Sequence, residues 1–384
     1  CTIAAGMMNC EEEDVEFIRL QFTDVLGNLK NIAITPRQME KVIDDFYPFE
    51  AEALYGNLYD PKEDLYLKPD LDTFVILPWR PQQGKVGKII CDICDKDGNF
   101  FAQSPRTILM NVLAEAKQEG YTFMVDPECE FFLFHTDDNG IPTTVTHEKA
   151  GYLDVGPIDL GENARRDMVL TLEDMGFEIE SSHHEKAPAQ HEIDFSQGEA
   201  MEIADSLMNF KFAVRSIAKR FGLYATFMPK PRTGIAGSGL HFNISMYKHG
   251  LNLFEGEKGE PSLTAMHFMG GIMEHAQAMC AITNPLINSY KRLVPGFEAP
   301  CNIVWSSKAN NPIVRVPASR GESTRIELRS PDATCNPYLC YAALLMAGLD
   351  GIKNKIDPHA EGWGPYDMNL YHLPEEEKAK LSSL

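Results

Sequence analysis

Several short segments of this sequence alternate reactive and apolar side chains, and no other feature constrains the fold as strongly. In the segment 126–134, Glu128 and Glu130 are two residues apart. The segment 239–245 alternates His, Asn and Ser with Leu, Phe and Ile, and the segment 325–329 alternates Arg-Glu-Arg with Ile and Leu. Because successive side chains of a strand point to opposite faces, each segment predicts a strand with one apolar and one reactive face.

A further segment, 182–195, carries Glu185 and Glu192 on either side of a turn that contains Pro188. A strand–turn–strand arrangement brings these two carboxylates to one place. We therefore expect the four segments to form one sheet, which packs on the core with its apolar face and carries the chemistry on its open face.

The open face of this sheet would hold five glutamates, which are Glu128, Glu130, Glu185, Glu192 and Glu327. Carboxylates this close raise one another's pKa unless cations neutralise them, and two divalent ions would do so. Oxygen-rich ligation with one imidazole favours Mg²⁺ or Mn²⁺ over Zn²⁺. Most single glutamates are solvated surface residues, but the strand spacing inside apolar segments favours a shared site.

Basic side chains are concentrated further along the chain, at Lys291, Arg292, Arg315, Arg320, Arg325 and Arg329. Arginine binds phosphate and carboxylate oxygens, and together with two cations such residues stabilise a transferring phosphoryl group. The alternative for each of these basic residues is an ion pair on the protein surface. The glycines at 234–239 have the wrong spacing for a P-loop, so metals and arginines would have to hold the phosphates of a nucleotide. From these residues alone, a two-metal hydrolase stays open.

Composition excludes several classes of protein. The chain has 384 residues, is 44% hydrophobic and has no run of eighteen apolar residues, which predicts two domains and no membrane partner. A net charge of -21 argues against a nucleic-acid partner. Nine scattered cysteines do not form a disulfide framework in a chain of this length, so we expect a reducing, cytoplasmic location.

The order of the predicted elements divides the chain near residue 103. The residues before this point predict a small domain built mainly from strands. In the remainder, the site strands alternate with predicted helices. Three of these helices cover about 161–175, 199–221 and 263–283, and two others begin at Ser104-Pro105 and at Asn336-Pro337.

Several motifs together resemble type I glutamine synthetase, from about Val15 to Leu370. They are Glu-x-Glu-Phe-Phe at 128–132, Ser-His-His-Glu-x-Ala-Pro-x-Gln-His-Glu-Ile-Asp at 182–194, Gly-Ser-Gly-Leu-His-Phe-Asn at 237–243, Asn-Ser-Tyr-Lys-Arg-Leu-Val-Pro-Gly at 288–296 and Arg-Ile-Glu-Leu-Arg at 325–329. The chain lacks the longer insertion of the adenylylated subclass and is similar to the shorter, Gram-positive type.

The resemblance implies an α+β fold. A β-grasp domain would cover residues 11–103, and a catalytic domain with a curved antiparallel sheet, half of a barrel surrounded by helices, would cover 104–384. It implies a homo-oligomeric ring with active sites between subunits. The sequence ends at Leu384, before the C-terminal helices that link two rings in typical members, and this leaves both a hexamer and a dodecamer open.

The resemblance also implies the reaction. Glutamate's side-chain carboxylate would be phosphorylated by ATP, and ammonia would then displace the phosphate. Two or more divalent cations per subunit would assist, one held by Glu130, Glu185 and Glu192 and another by Glu128, His241 and Glu327. Arg292, Arg329 and Gly237 would contact glutamate, Arg315 and Arg325 the phosphates, and Asn243 and Ser245 the nucleotide. Glu298 resembles the glutamate of the loop that closes the site and helps take a proton from ammonium.

The sequence departs from the family at two positions. Where the family has Phe-Asp-Gly-Ser-Ser-Ile, whose aspartate binds ammonium across the subunit boundary, this chain has Phe49-Glu50-Ala51-Glu52-Ala53-Leu54. Glu50 keeps a carboxylate but is one methylene longer. After Trp305-Ser306, Asn310 stands where the family has an arginine for the transferred phosphoryl group, and the loss of such a donor commonly costs about 10²–10³ in rate.

Three interpretations of function follow. The first is a working glutamine synthetase, which the complete set of candidate metal ligands favours. The second is a γ-glutamyl ligase that joins glutamate to another amine, because the ammonium loop has changed. The third is a catalytically weak relative with a regulatory or structural role.

Overall fold

The computed structural model describes residues 13–56, 64–80, 83–257 and 260–384. A smaller sheet forms from the first strands, which are β1 (Val15–Thr23), β2 (Leu29–Ile34), β3 (Tyr47–Phe49), β4 (Leu65–Ile76) and β5 (Lys85–Cys94). Their order is β2-β1-β5-β4-β3, with β1 and β5 parallel and the other pairs antiparallel. The helices α1 (Met39–Asp45) and α2 (Glu52–Tyr55) lie between β2 and β4 in the chain.

A larger sheet carries the site. Its strands are β6 (Tyr121–His135), β7 (Ile179–His184), β8 (Gln190–Phe195), β9 (Gly198–Glu199), β10 (Leu223–Thr226), β11 (Leu240–Lys248), β12 (Leu251–Asn252), β13 (Trp305–Ser306), β14 (Val314–Arg315) and β15 (Ile326–Leu328). The main path runs β13-β14-β15-β11-β6-β8-β7, and every pair except β13 with β14 is antiparallel. The four predicted site segments therefore belong to one sheet, as the alternation required.

Helices cover the apolar face of this sheet. They are α3 (Pro105–Gln118), α4 (Glu162–Asp174), α5 (Ala200–Arg220), α6 (Leu263–Glu274), α7 (Ala276–Thr283) and, after the short helix α8 (Ser289–Arg292), α9 (Pro337–Asn354). A last short helix, α10 (Glu375–Lys378), has no buried residues. The core contains the inward side chains of β6, β8, β11 and β15 together with those of α5, α6 and α9. Among the described residues, no helix is both long and apolar enough to cross a membrane.

Most predicted helices form close to their expected limits, and the differences have physical causes. Before α1, the residues Pro36–Gln38 form a 3₁₀ turn, and the α-helical residues start at Met39. The helix predicted over 263–283 is interrupted at His275. Gly176 follows α4 with φ +93°, a left-handed conformation in which glycine carries no steric penalty.

Helices α6 and α9 approach closely at glycines. A β-carbon added to Gly271 would lie 2.0 Å from the carbonyl oxygen of Ala347, and one added to Gly351 would lie 2.1 Å from the carbonyl oxygen of His267. The two backbones are therefore in contact, and a side chain at either position would force them apart. Helical periodicity alone gave no sign of this contact.

A buried arginine connects the smaller sheet to the helices of the larger unit. Arg106, at the start of α3, donates to Asp92 of β5 at 2.6 Å and to Asp70 of β4 at 2.8 Å. It also donates to both carboxylate oxygens of Asp205 on α5, at 3.1 and 2.9 Å. Tyr338 of α9 donates to the same aspartate at 2.7 Å. One guanidinium thus binds three carboxylates at the junction.

We expect Arg106→Met to lower the free energy of unfolding by about 3–5 kcal/mol, because it leaves buried aspartates without their cation. Urea denaturation followed by circular dichroism measures the change. The control is Arg37→Met, since Arg37 is exposed and we expect a change within about 0.5 kcal/mol. Equal stabilities of the two variants would contradict the proposed importance of this junction.

Candidate active site

Strand register brings the predicted site residues onto one face of the larger sheet. Directly opposed residues of antiparallel strands share a face, and the opposed pairs here include His241 with Glu128, Glu128 with Asp194, Glu130 with Glu192, and Asn243 with Glu327. Glu185 follows the end of β7, and its backbone N–H donates to the carbonyl of Gln190 at 2.8 Å. Strand β6 is thus the centre of the site, with β11 and β8 on its two sides.

The first cluster, which we name the His241 group, consists of Glu128, His241 and Glu327. One ligand atom from each lies within 4.8 Å of the others. His241 Nδ1 is 3.2 Å from Glu128 Oε2 and 3.8 Å from Glu327 Oε1. Two carboxylates and one imidazole at these separations can bind a divalent cation.

The carboxylates of the His241 group are held by surrounding donors. Asn243 Nδ2 donates to Glu128 Oε1 at 2.8 Å. Burial opposes ionisation of Glu128, but hydrogen bonding and charge from His241, with the hydrogen bond from Asn243, lower its pKa to about 2. Glu327 accepts from Arg329 through one oxygen and from Arg315 at 3.1 Å through the other. These donors orient the carboxylates towards one point.

The second cluster, the His183 group, consists of His183, Glu185 and Glu192, with ligand atoms again within 4.8 Å of one another. Burial raises the pKa of Glu192 well above its usual range, and the nearby Glu130 carboxylate adds to this. The same two causes, in the same order, raise the pKa of Glu185. Raised pKa values mean that this group lacks a compensating positive charge, so its donor set suits a cation.

The sequence grouped Glu130 with Glu185 and Glu192, and the structure places Glu130 beside them but outside the tightest cluster. Glu130 Oε2 accepts from Gln190 Nε2 at 2.9 Å and from the Gly239 N–H at 2.8 Å. His183 takes the third place in the cluster. Sequence analysis missed His183, although its spacing of two from Glu185 was a usable signal.

Glycine permits the close approach of the groups around Arg292. A β-carbon on Gly239 would lie 2.7 Å from both Arg292 Nη2 and His241 Nε2, and one on Gly237 would lie 2.2 Å from the carbonyl oxygen of Pro229. Arg292 is buried and donates to the carbonyls of Arg329, Ser330 and Pro331 at 2.8–3.2 Å. Its guanidinium is thereby fixed beside the carboxylate clusters.

The loop at residues 293–301 closes the space in front of these groups. Phe297, Glu298 and Ala299 line a cavity of about 30 Å³ together with Gly237, Arg292 and other site residues. This volume is about that of one water molecule, so the loop leaves little free space beside these side chains. Gly296 has φ +97° and Glu298 has φ +62°, both left-handed.

Several predicted residues lie apart from the two clusters. Glu50 is exposed after β3 and borders a different depression of about 620 Å³ with Tyr47 and Pro48. Asn310 is exposed, and the neighbouring Lys308 has Nζ 3.7 Å from Asp367 Oδ2. Ser245 is buried on β11, further along the strand from His241.

Arg325 lies on the same face and donates to Asp126 Oδ2 at 2.9 Å. Burial raises the pKa of Asp126 to about 7, although the Arg325 charge opposes this rise. A pKa near 7 means that Asp126 changes protonation near neutral pH.

A buried network behind the His183 group was not predicted from the sequence. His184 Nε2 is 2.6 Å from Glu148 Oε1, and Arg165 Nη1 lies 2.8 Å from both Asp159 Oδ2 and His191 Nδ1. Burial opposes both charges of the His184–Glu148 pair, but their hydrogen bond raises the His184 pKa and lowers the Glu148 pKa. Because His184 and His191 are adjacent in sequence to Glu185 and Glu192, the network fixes the backbone that carries those carboxylates.

Two known family domains match successive parts of the chain. Residues 14–96 match the β-grasp domain of glutamine synthetase, and residues 102–384 match the glutamine synthetase catalytic domain. The glutamine synthetase of Clostridium saccharobutylicum is 54% identical over 370 residues, which are 96% of this chain and 83% of that protein. The glutamine synthetase of Staphylococcus aureus (strain MW2) is 50% identical over 371 residues, 96% of this chain and 82% of the relative.

Solved structures show the same architecture. A chain described as GmaS in complex with ADP superposes with a TM-score of 0.87 at 31% identity, covering 98% of this chain and 86% of that one. Plasmodium falciparum glutamine synthetase superposes with a TM-score of 0.84 at 28% identity, covering 92% of this chain and 76% of that one. The predicted α+β fold, with its β-grasp domain and half-barrel sheet, is confirmed.

The pKa of Asp126 generates a prediction for the metal-free protein. A carboxyl whose pKa is higher in the folded than in the unfolded state lowers the free energy of unfolding when it is ionised. The free energy of unfolding therefore rises as the pH falls through the pKa of the folded state. Between about pH 8 and about pH 6, Asp126 should contribute about 1.4 kcal/mol of increasing stability. We expect Asp126→Asn to remove this part of the pH dependence in urea denaturation. The exposed Asp97→Asn is the control, and an unchanged slope in Asp126→Asn would refute the assignment.

Proposed function

This chain belongs to the glutamine synthetase family, and on that premise we propose which of its residues bind the cations and substrates. It is a glutamate–ammonia ligase, which uses ATP to form glutamine from glutamate and ammonia. The comparisons do not favour a ligase for another amine or a weak relative, because the relatives of 50–54% identity are glutamine synthetases. The observation that carries our residue assignments is the presence of two carboxylate–imidazole clusters on one sheet face beside four arginines.

We assign two or more divalent cations, Mg²⁺ or Mn²⁺, to these clusters. The His241 group would hold one, and Glu130, Glu185 and Glu192, joined by His183, would hold another. The raised pKa values of Glu185 and Glu192 support this, because a cation would supply the charge that the protein leaves missing. When bound, such cations neutralise phosphate oxygens and polarise the transferring phosphoryl group.

The arginines would bind the two negatively charged substrates. Arg315 and Arg325 would face the phosphates of ATP, with Asn243 and Ser245 beside the nucleotide. Arg292 and Arg329 would bind glutamate next to Gly237. The side-chain carboxylate oxygen of glutamate attacks the γ-phosphorus of ATP, and ADP leaves. Fixed guanidinium groups stabilise charge on the transferring oxygens without reorganising during the reaction.

Ammonia completes the reaction. Its nitrogen attacks the carbonyl carbon of the γ-glutamyl phosphate, the carbon–nitrogen bond forms, and phosphate leaves. Glu298 would accept a proton from ammonium at the closed loop, and Glu50 of an adjacent subunit would bind ammonium from the other side. The exposed position of Glu50, away from the cavity of its own chain, supports a role across a subunit boundary.

We further propose that the chain assembles as a homo-oligomeric ring, a hexamer or dodecamer, and works in the cytoplasm. We also propose a division into domains at residues 11–103 and 104–384. Residues 11 and 12, at the start of the first domain, lie outside the described residues.

Phosphate release from ATP tests the proposed roles. We expect release to require Mg²⁺ and glutamate and to rise strongly with ammonium, because the ammonium nitrogen is the acceptor. The assay should include primary amines and hydroxylamine. A response to another amine but none to ammonium would contradict the assignment of the acceptor site, and no response to any acceptor would contradict the catalytic roles.

Metal binding tests the assignment of Glu192. We expect Glu192→Gln to weaken Mn²⁺ binding at one class of site at least about tenfold, because a buried charged ligand is lost. Titration of the full chain with Mn²⁺, followed by electron paramagnetic resonance, measures the affinity and the number of sites. Glu173→Gln, at an exposed position on α4, is the control. Equal binding curves would refute the role of Glu192.

A further inference from the structure

Lys186 forms an ion pair across the mouth of the cavity beneath the loop at residues 293–301. Its Nζ contacts Oε2 of Glu298, and the two side chains are 41% and 47% exposed. Lys186 directly follows the candidate metal ligand Glu185, whereas Glu298 is on the covering loop. The pair therefore joins the end of the β7–β8 turn to the loop.

Both partners of this pair are positioned by other contacts. The Lys186 backbone N–H donates to Glu185 Oε2 at 2.8 Å, and its Nζ lies 5.6 Å from the ring centre of Tyr152. On the loop, Lys230 Nζ lies 3.8 Å from the ring centre of Phe297. The backbone carbonyl of Ala299, next to Glu298, accepts from Tyr371 at 3.2 Å. These contacts place the Lys186 ammonium group and the Glu298 carboxylate on facing sides of the cavity mouth.

The chemistry of this contact is that of the acceptor substrate. A lysine side chain ends in a primary ammonium group, which has the same charge as the ammonium ion and similar N–H donors. Among the described residues, the ammonium group of Lys186 is the cation within ion-pair distance of Glu298. The carboxylate that we assign to ammonium is therefore already occupied by an ammonium group of the protein.

We propose that Lys186 acts as an internal ammonium that substrate ammonium must displace from Glu298. This inference rests on the role proposed for Glu298 above. Displacement makes the apparent affinity for ammonium weaker than the bare carboxylate would give. It does not affect an uncharged acceptor in the same way, because a neutral molecule does not compete for the ion-pair position. Lys186 is thus a positioning residue that sets the ammonium requirement.

The test compares Lys186→Met with wild type in the full assembled enzyme. Methionine keeps an unbranched side chain but removes the charge, and the backbone N–H to Glu185 remains. We expect the KM for ammonium to fall about two- to fivefold, the range that an exposed ion pair spans, with the KM for glutamate unchanged. The KM for hydroxylamine, which is uncharged at neutral pH, should stay the same. Lys186→Arg keeps the positive charge, so its KM for ammonium should remain near that of wild type.

The possible results separate this inference from the proposed function. An unchanged or increased KM for ammonium in Lys186→Met, with wild type active on ammonium, would overturn the inference and leave the proposed function standing. An equal fall for ammonium and hydroxylamine would also overturn it, because that result indicates a loosened loop. A fall in Lys186→Arg as large as in Lys186→Met would exclude charge as the cause. Wild type without ammonium-dependent turnover would overturn both proposals.

Discussion

Repulsion between carboxylates on one sheet face is the constraint on which the rest of the site depends. Burial alone raises the pKa values of Glu185 and Glu192, and the neighbouring Glu130 raises them further. Fixed hydrogen-bond donors offset part of this repulsion. Arg329 and Arg315, for example, both donate to Glu327. Bound cations would neutralise the negative charge that remains. The charge that destabilises the metal-free protein therefore also provides its affinity for metal.

The antiparallel register converts this constraint into geometry. Because β6 pairs with β11 on one side and β8 on the other, Glu128 lies opposite His241 and Asp194 at once, and Glu130 lies opposite Glu192. A slip of one residue would turn these carboxylates into the apolar core, where Cys129 and Phe131 now pack. Function and folding therefore select the same register.

The sequence predicted the features that depend on local periodicity and could not predict those that depend on distant contacts. Alternation identified the strands and the shared face, and glycine and proline located most helix ends. The Glu148–His184 contact and the Arg106–Asp205 contact join residues 36 and 99 positions apart, and no local pattern reports such pairs. Likewise, His183 was visible as an alternating residue, but its place in the cluster depends on the fold of the β7–β8 turn. The position of the loop at residues 293–301 also depends on tertiary contacts.

The left-handed backbone of Glu298 has a consequence for how the loop is held. An L residue in this conformation costs about 1–2 kcal/mol relative to right-handed helix or extended chain. Such a conformation persists only where surrounding contacts offset its cost, and one of those contacts is the hydrogen bond from Tyr371 to the carbonyl of Ala299. Residues outside the site therefore take part in keeping the Glu298 carboxylate where it lies.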